Sequence, residues 1–226
     1  VWSVTTNWWG EIEESDGIRL MQKAFDLGIT FFDTADTYGK GLGETIMPKA
    51  FKGKRDKIQI GSKFGYEWEK HQDRPGNAQS ELPQNFSPEF VKKACEGALQ
   101  RLETDYIDLW QVHNPKLALL TDELFQTLEE LKQAGKIRAY GVALGPAIGW
   151  EEEGLVSMER WKVQSCQTVY NLLEQDPGRS LLKMAEKTQT GLMSRVPHSS
   201  GVLQGLKPNF NPNDHRSHRK LQWFLE

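Results

Sequence analysis

Two spacings of apolar residues alternate along the chain. Short runs rich in Phe, Ile and Val end on polar side chains: Phe31-Phe32-Asp33, Ile58-Gln59-Ile60-Gly61-Ser62-Lys63 and Leu109-Trp110-Gln111-Val112-His113. Ile137 to Val142, Val163 to Val169 and a weaker Leu192 to Arg195 continue the series, and Val1 to Asn7 reads as the tail of an earlier strand. Between these runs the apolar positions change to helical spacing, as in Leu20, Met21, Ala24 and Phe25, and again in Leu124, Leu128 and Leu131. Helix ends carry their usual markers. Ser15 or Asp16 is placed to cap the first helix and Gly28 to close it, Ser87-Pro88-Glu89 opens another, Thr121 or Asp122 a third, and Gly135 ends it. Short helices are expected over Gly43 to Phe51, near Val156 and over Ser180 to Lys187. Strand and helix in strict alternation predict an α/β fold with a parallel sheet and crossover helices, in one domain over residues 1–226 with about seven strands. An eighth strand would close such a sheet into a ring.

One passage breaks the pattern. Tyr66 to Phe86 is polar, carries Pro75, Gly76 and Pro83, and shows no periodicity, which marks a functional loop or lid rather than filler.

The polar residues that end the strand runs differ in chemistry. Side chains alternate along a strand, so Asp33, Lys63 and His113 share one face of the sheet, while Phe32, Ile60, Trp110 and Val112 face the helices. In a parallel barrel, strand C-termini line a common mouth, where the chemistry of such folds is kept. A lysine buried there needs a counter-charge, and Asp33 is the natural partner. Tyr38 follows Asp33 on a short loop. A phenol titrates near ~10 in water, and a nearby ammonium favours its phenolate, which makes Tyr38 a usable proton donor. His113 is suited to hold a carbonyl oxygen as negative charge develops on it. Taken singly, each residue has a plainer reading: an ion pair, a rim aromatic, a turn histidine. Together, on successive strand ends, they read as a site that protonates an alkoxide made from a carbonyl, with a hydride supplied from outside the protein.

Composition narrows the field further. A formal net charge of −3 and a pI near 6.0 give no nucleic-acid footprint. No apolar run is long enough for a membrane span, and the opening Val1-Trp2-Ser3 shows no signal-peptide pattern. The two cysteines, Cys95 and Cys166, lie too far apart for a disulfide framework or zinc spacing. They read as packing residues in a reducing, cytoplasmic setting, and no metal site is expected. Oligomeric state is not legible.

The segment Asp33-Thr34-Ala35 through Tyr38-Gly39, the lysine ending the next strand and the His113-Asn114-Pro115 after the following one resemble the aldo-keto reductase superfamily in order and spacing. The resemblance extends from Trp2 to about Arg216. It implies a (β/α)8 TIM-type barrel that binds NADP(H) and reduces an aldehyde or ketone, with Tyr38 as general acid, Lys63 and Asp33 tuning it, and His113 orienting the carbonyl. It further implies that Gln167 holds the nicotinamide carboxamide, where an amide offers donor and acceptor. Two departures stand out. Where the family usually has Ser-Asn after the fifth strand, the matching run of this chain is Val142-Ala143-Leu144-Gly145, with neither side chain. Where it often has a ring-stacking tyrosine and a pyrophosphate loop, this chain has Arg195-Val196-Pro197-His198-Ser199-Ser200-Gly201. A guanidinium stacks on a ring plane, and Ser199, Ser200 and Gly201 offer hydroxyls and amides to phosphate. The family's eighth strand and its segment for the 2′-phosphate would lie beyond Glu226, so NADP over NAD is not readable from the chain. Trp8, Trp9, Tyr66 and Trp68 are expected to wall a pocket for an apolar or aromatic carbonyl. The competing reading is a non-catalytic nucleotide-binding barrel serving as a regulatory or scaffold subunit.

Overall fold

The computed structural model describes residues 1–6, 11–71, 73, 81–145 and 150–205. Six parallel strands pair in sequence order and curl into part of a (β/α)8 barrel: β1 (Phe31–Asp33), β2 (Gln59–Phe64), β3 (Ile107–His113), β4 (Ile137–Ala143), β5 (Ser165–Val169) and β6 (Gly191–Arg195). The helices are α1 (Trp2–Thr5), α2 (Glu14–Asp26), α3 (Leu42–Ala50), α4 (Pro88–Arg101), α5 (Asp122–Gln133), α6 (Glu151–Arg160) and α7 (Gly178–Thr188).

The strand expected at the start of the chain is a correction. Trp2–Thr5 forms a helical turn, so the described residues hold six strands where about seven were expected. Gly39, with φ of 59°, presses its backbone onto that turn; a Cβ there would lie 2.2 Å from the Thr5 carbonyl oxygen. The first long helix is capped by the Glu13 backbone rather than by Ser15 or Asp16, and Leu20 stays 54% exposed while Met21 turns inward. The other boundaries hold to within a few residues. Ser87 caps α4 by accepting from the Phe90 amide, Thr121 caps α5 by accepting from the Leu124 amide, and Gly28 and Gly135 take the left-handed conformation after their helices.

Strand alternation divides the sheet into two unlike faces. Phe32, Ile60, Phe64, Trp110, Val112, Tyr140, Val142 and Cys166 lie under the helices and form the core with Ile46, Cys95, Leu124 and Leu181. Phe64 stacks on Trp110 at 4.9 Å, and Phe125 on Trp161 at 4.4 Å. The register sets Lys63 beside Gln111 and Gly141, and His113 beside Ala143 and Gln167, on the bore face. At the N-terminal end of the strands, Arg55 ties Asp108 and the carbonyls of Ile58 and Tyr106 together. That end is a structural clasp, and the C-terminal end is left for chemistry.

Candidate active site

β1 is short because its job is to deliver Asp33 to the mouth and then turn. Residues 34–41 make the loop that follows, held to β2 by the Thr34 amide on the Gly61 carbonyl (2.8 Å) and the Asp36 amide on the Lys63 carbonyl (3.2 Å). The Gly43 amide donates to the Tyr38 carbonyl at 2.8 Å. A Cβ on Gly43 would lie 2.6 Å from Thr34 Oγ1 and 2.8 Å from Tyr38 Cβ, so only glycine lets the loop sit this close to α3.

Lys63 is fully buried. Its ammonium donates to Asp33 Oδ2 at 2.7 Å and to the Thr34 carbonyl at 2.6 Å. Burial pulls the lysine toward its neutral form, but the Asp33 carboxylate and the Tyr38 oxygen outweigh it and hold the ammonium above its ordinary range. The same Nζ lies 5.0 Å from the centre of the Tyr38 ring. The His113 ring meets Tyr38 edge-on at 5.9 Å. Burial, then the positive charges of Lys63 and Arg195, push His113 well below its ordinary value, so the ring is a neutral imidazole at neutral pH. The four side chains named from the sequence therefore come together on one mouth.

Several buried polar atoms facing the bore have no hydrogen-bond partner among the described residues: Asp33 Oδ1, His113 Nδ1, and both amide atoms of Gln111. Buried polar groups are paired as a rule, so a mouth lined with open donors and acceptors is built to receive a polar ligand or water.

Tyr66 packs edge-on against His113 at 5.4 Å, and its hydroxyl donates to Glu81 Oε1 at 2.6 Å and accepts from Asn114 Nδ2 at 2.9 Å. Gln84 Nε2 donates to the carbonyls of both His113 and Asn114, each at 2.9 Å. Trp68 is placed differently from Tyr66. It lies behind the Tyr38 loop, against Gly41 and the Arg101 guanidinium, and bonds to Asp36. Trp8 and Trp9 lie outside the described residues.

On the far side of the mouth, Gln167 is buried, and its amide nitrogen faces the thioether sulfur of Met193 at 3.3 Å. Arg195 is half-buried and donates to the Leu144 carbonyl at 3.0 Å. The segment after β6 is backbone-strained. Val196, Ser199 and Ser200 have φ of 55°, 49° and 55°, and Gly201 follows at 95°. A β-branched residue in the left-handed region is rare and clusters at functional sites. Asn171 pins this turn by donating to the Val196 carbonyl (3.0 Å), and the Ser199 hydroxyl is engaged by the Glu174 carboxylate at 3.3 Å.

Comparison with known proteins resolves what kind of barrel this is. The model of the aldo/keto reductase family matches residues 1–226. The chain belongs to that family. Among curated proteins, aldo-keto reductase YhdN of Bacillus subtilis is 31% identical over 226 residues, covering 96% of this chain and 63% of the relative. Among solved structures, the glycerol dehydrogenase of Gluconobacter oxydans superposes with a TM-score of 0.81 at 28% identity, covering 97% of this chain and 66% of that one. An aldo/keto reductase from Klebsiella pneumoniae in complex with NADP and acetate matches with a TM-score of 0.66 at 25% identity, covering 83% of this chain and 60% of that one. The chain spans under two thirds of the length of each of these relatives.

Sequence reasoning did not reach the residues that hold the site of this aldo/keto reductase family member in place. Asp36, Glu44 and Ser62 are buried and polar, Arg101 is partly buried, and the four meet from four different segments. Gln84 and Glu81 sit in the aperiodic loop and carried no pattern to mark them. The one available hint was Asn114 directly after His113. No group of His, Cys, Asp or Glu suited to a metal occurs among the described residues, and no helix among them is long and apolar enough to cross a membrane.

Proposed function

We propose that this protein is an NADP(H)-dependent oxidoreductase that reduces an aldehyde or ketone to an alcohol, with Tyr38 as general acid. The observation that carries the reading is the convergence of the Tyr38 ring on the buried Lys63 ammonium at 5.0 Å and the His113 ring at 5.9 Å. Neutral His113 donates a hydrogen bond to the substrate carbonyl oxygen and holds it beside the Tyr38 hydroxyl. Tyr38 gives its proton to that oxygen as charge develops there. The Lys63 ammonium, held in place by Asp33 and the Thr34 carbonyl, stabilises the phenolate left behind. Bound NADPH supplies the hydride.

The residues facing the cofactor side fit a nicotinamide group in part. Gln167 presents an amide whose nitrogen, among the described residues, meets only a thioether, a weak acceptor, so a carboxamide oxygen is a better partner. Arg195 brings a guanidinium to the same rim, and Val196, Pro197, His198, Ser199, Ser200 and Gly201 form the strained turn assigned to the pyrophosphate. Ser199 is the poorest of these, because the Glu174 carboxylate already accepts from it and opposes a phosphate there. Ala143 and Leu144 leave only their backbone to the carboxamide. The NADP-bound relative from Klebsiella pneumoniae supports the choice of cofactor. The substrate proposed is a small carbonyl compound with an apolar or aromatic body, walled by Tyr66 and, as the resemblance has it, Trp8 and Trp9; Trp68, turned to the far side of the Tyr38 loop, is not among the walls. A cytoplasmic setting is proposed with it.

The test uses NADPH and 4-nitrobenzaldehyde. The wild-type protein is expected to quench its tryptophan fluorescence on binding NADPH and to consume NADPH with the aldehyde. Tyr38→Phe is expected to lose at least about 10²-fold in kcat, as for removal of a general acid, while its NADPH affinity stays within about twofold. Equal turnover by Tyr38→Phe would remove the acid from its role. Nucleotide binding with no turnover in the wild type would favour a regulatory barrel instead.

A further inference from the structure

Behind the Tyr38–Lys63 pair, on the helix-facing side of the sheet, lies a second polar cluster that the reaction does not touch. Its centre is Glu44, in the first turn of α3 and fully buried. Glu44 Oε1 accepts from Ser62 Oγ at 2.5 Å, and Oε2 accepts from Arg101 Nε at 2.7 Å. Ser62 is the residue before Lys63 on β2, turned toward the helices where Lys63 turns into the bore. Glu44 directly follows Gly43, whose amide holds the Tyr38 carbonyl. One carboxylate therefore joins the chain leaving the phenol to the strand carrying the ammonium.

The rest of the cluster braces that joint. Asp36 is 1% exposed, bonds to Trp68, and sends its amide to the Lys63 carbonyl at 3.2 Å. The Arg101 guanidinium lies 5.4 Å from the centre of the Trp68 ring and 3.8 Å from Glu69. Burial raises both acids above their ordinary values, Asp36 further through the charge of Glu44, while Arg101 opposes the shift in each. Well-packed apolar residues hold a fold as firmly as a buried ion pair does. What they lack is direction. Two carboxylate oxygens with two fixed donors set one distance and one angle between α3, β2 and α4, and the Tyr38 and Lys63 side chains hang from the ends of that frame.

We propose that Glu44 is a positioning residue for the reaction, acting through Ser62 on the β2 segment that carries Lys63 and through the Gly43 amide on Tyr38. This rests on the reductase reading given above. In the intact protein, Glu44→Gln keeps the side-chain shape and removes the charge. It is expected to lower kcat for 4-nitrobenzaldehyde on the order of 10- to 100-fold, the scale of a small misplacement of reacting groups, with KM and the NADPH Kd within about twofold. Ser62→Ala should show the same split. The double variant should be no slower than the slower single variant, because the two groups act through one contact. A Glu44→Gln protein with wild-type thermal unfolding and wild-type kcat overturns the proposal, as do losses that multiply in the double variant. Should Glu44→Gln fail to fold, Ser62→Ala, which leaves the Glu44–Arg101 pair in place, decides alone: an unchanged kcat there is a refutation. A wild-type protein without Tyr38-dependent NADPH consumption brings down the reductase reading and this inference together, whereas an active wild type with indifferent variants brings down this inference only.

Discussion

Lys63 carries its charge with none of its side chain open to solvent, while its partner Asp33 keeps 30% of its side chain exposed. That imbalance makes the two halves of the pair unequal. Removing the acid leaves a fully buried ammonium with, among the described residues, only the Thr34 carbonyl to accept from it, whereas removing the base leaves a carboxylate that water still reaches. Asp33→Asn is thus expected to cost more stability than Lys63→Met, about 3–5 kcal/mol for the uncompensated buried charge. Urea unfolding at neutral pH would read the order, and a larger loss in Lys63→Met would contradict it. The pair was legible in the sequence because strand alternation alone puts Asp33 and Lys63 on one face, and a lysine ending an apolar run asks for an acid. Glu44, Ser62 and Arg101 were not legible. Each belongs to an element whose own pattern is satisfied without it, and their meeting depends on how α3 and α4 lie against β2, which no local spacing encodes.

Elements were readable where their apolar period was long and their ends were marked. α4 and α5 combine an apolar stripe with a serine or threonine cap, and both formed as expected. The misreading of Trp2–Thr5 has a simple cause: Trp-Ser-Val-Thr alternates as a strand does, and four residues are too few to separate two periods. Of the passage from Tyr66 to Phe86, residues 72 and 74–80 lie outside the described residues; the anchors of the described part are tertiary. Tyr66 and Gln84 form an antiparallel bridge, the Asn85 amide returns to the Gly65 carbonyl at 2.8 Å, and Gln84 spans two carbonyls at the end of β3. Gln84 is therefore the stitch between this loop and the histidine. Gln84→Ala should cost about 1–3 kcal/mol, since it frees two backbone acceptors beside His113. It should also raise KM for the aldehyde more than it lowers kcat, because the loop edge of the mouth loosens while Tyr38 and Lys63 stay fixed. Steady-state kinetics beside thermal unfolding would check both, and a pure kcat effect would place Gln84 in the wrong role.

Across the whole molecule, the sheet shows its function in where its buried titrating groups sit and in which direction each is pushed. His113 is held well below its ordinary 6.5, so the unfolded chain takes up a proton that the folded one refuses. Its contribution to stability is full above pH 6.5 and is lost as pH falls toward the lowered folded value, with a slope of up to about 1.4 kcal/mol per pH unit. Asp36 and Glu44 act with the opposite sign. Their carboxyls are raised in the fold, so the folded state binds protons more tightly than the unfolded chain. Their contribution is full below their ordinary values of 3.8 and 4.5 and is lost as pH rises through the raised values. Where these windows overlap the two effects oppose each other, and the acid loss of the wild type should be shallower than His113 alone would give. Single variants separate them. His113→Asn removes the group that loses stability in acid, so its urea midpoint should hold or rise as pH falls over that range. Asp36→Asn removes part of the compensation, so its midpoint should fall more steeply than that of the wild type. Three parallel midpoint curves would mean that these groups titrate alike in the folded and unfolded chain, which is incompatible with an imidazole and two carboxyls shut inside this barrel.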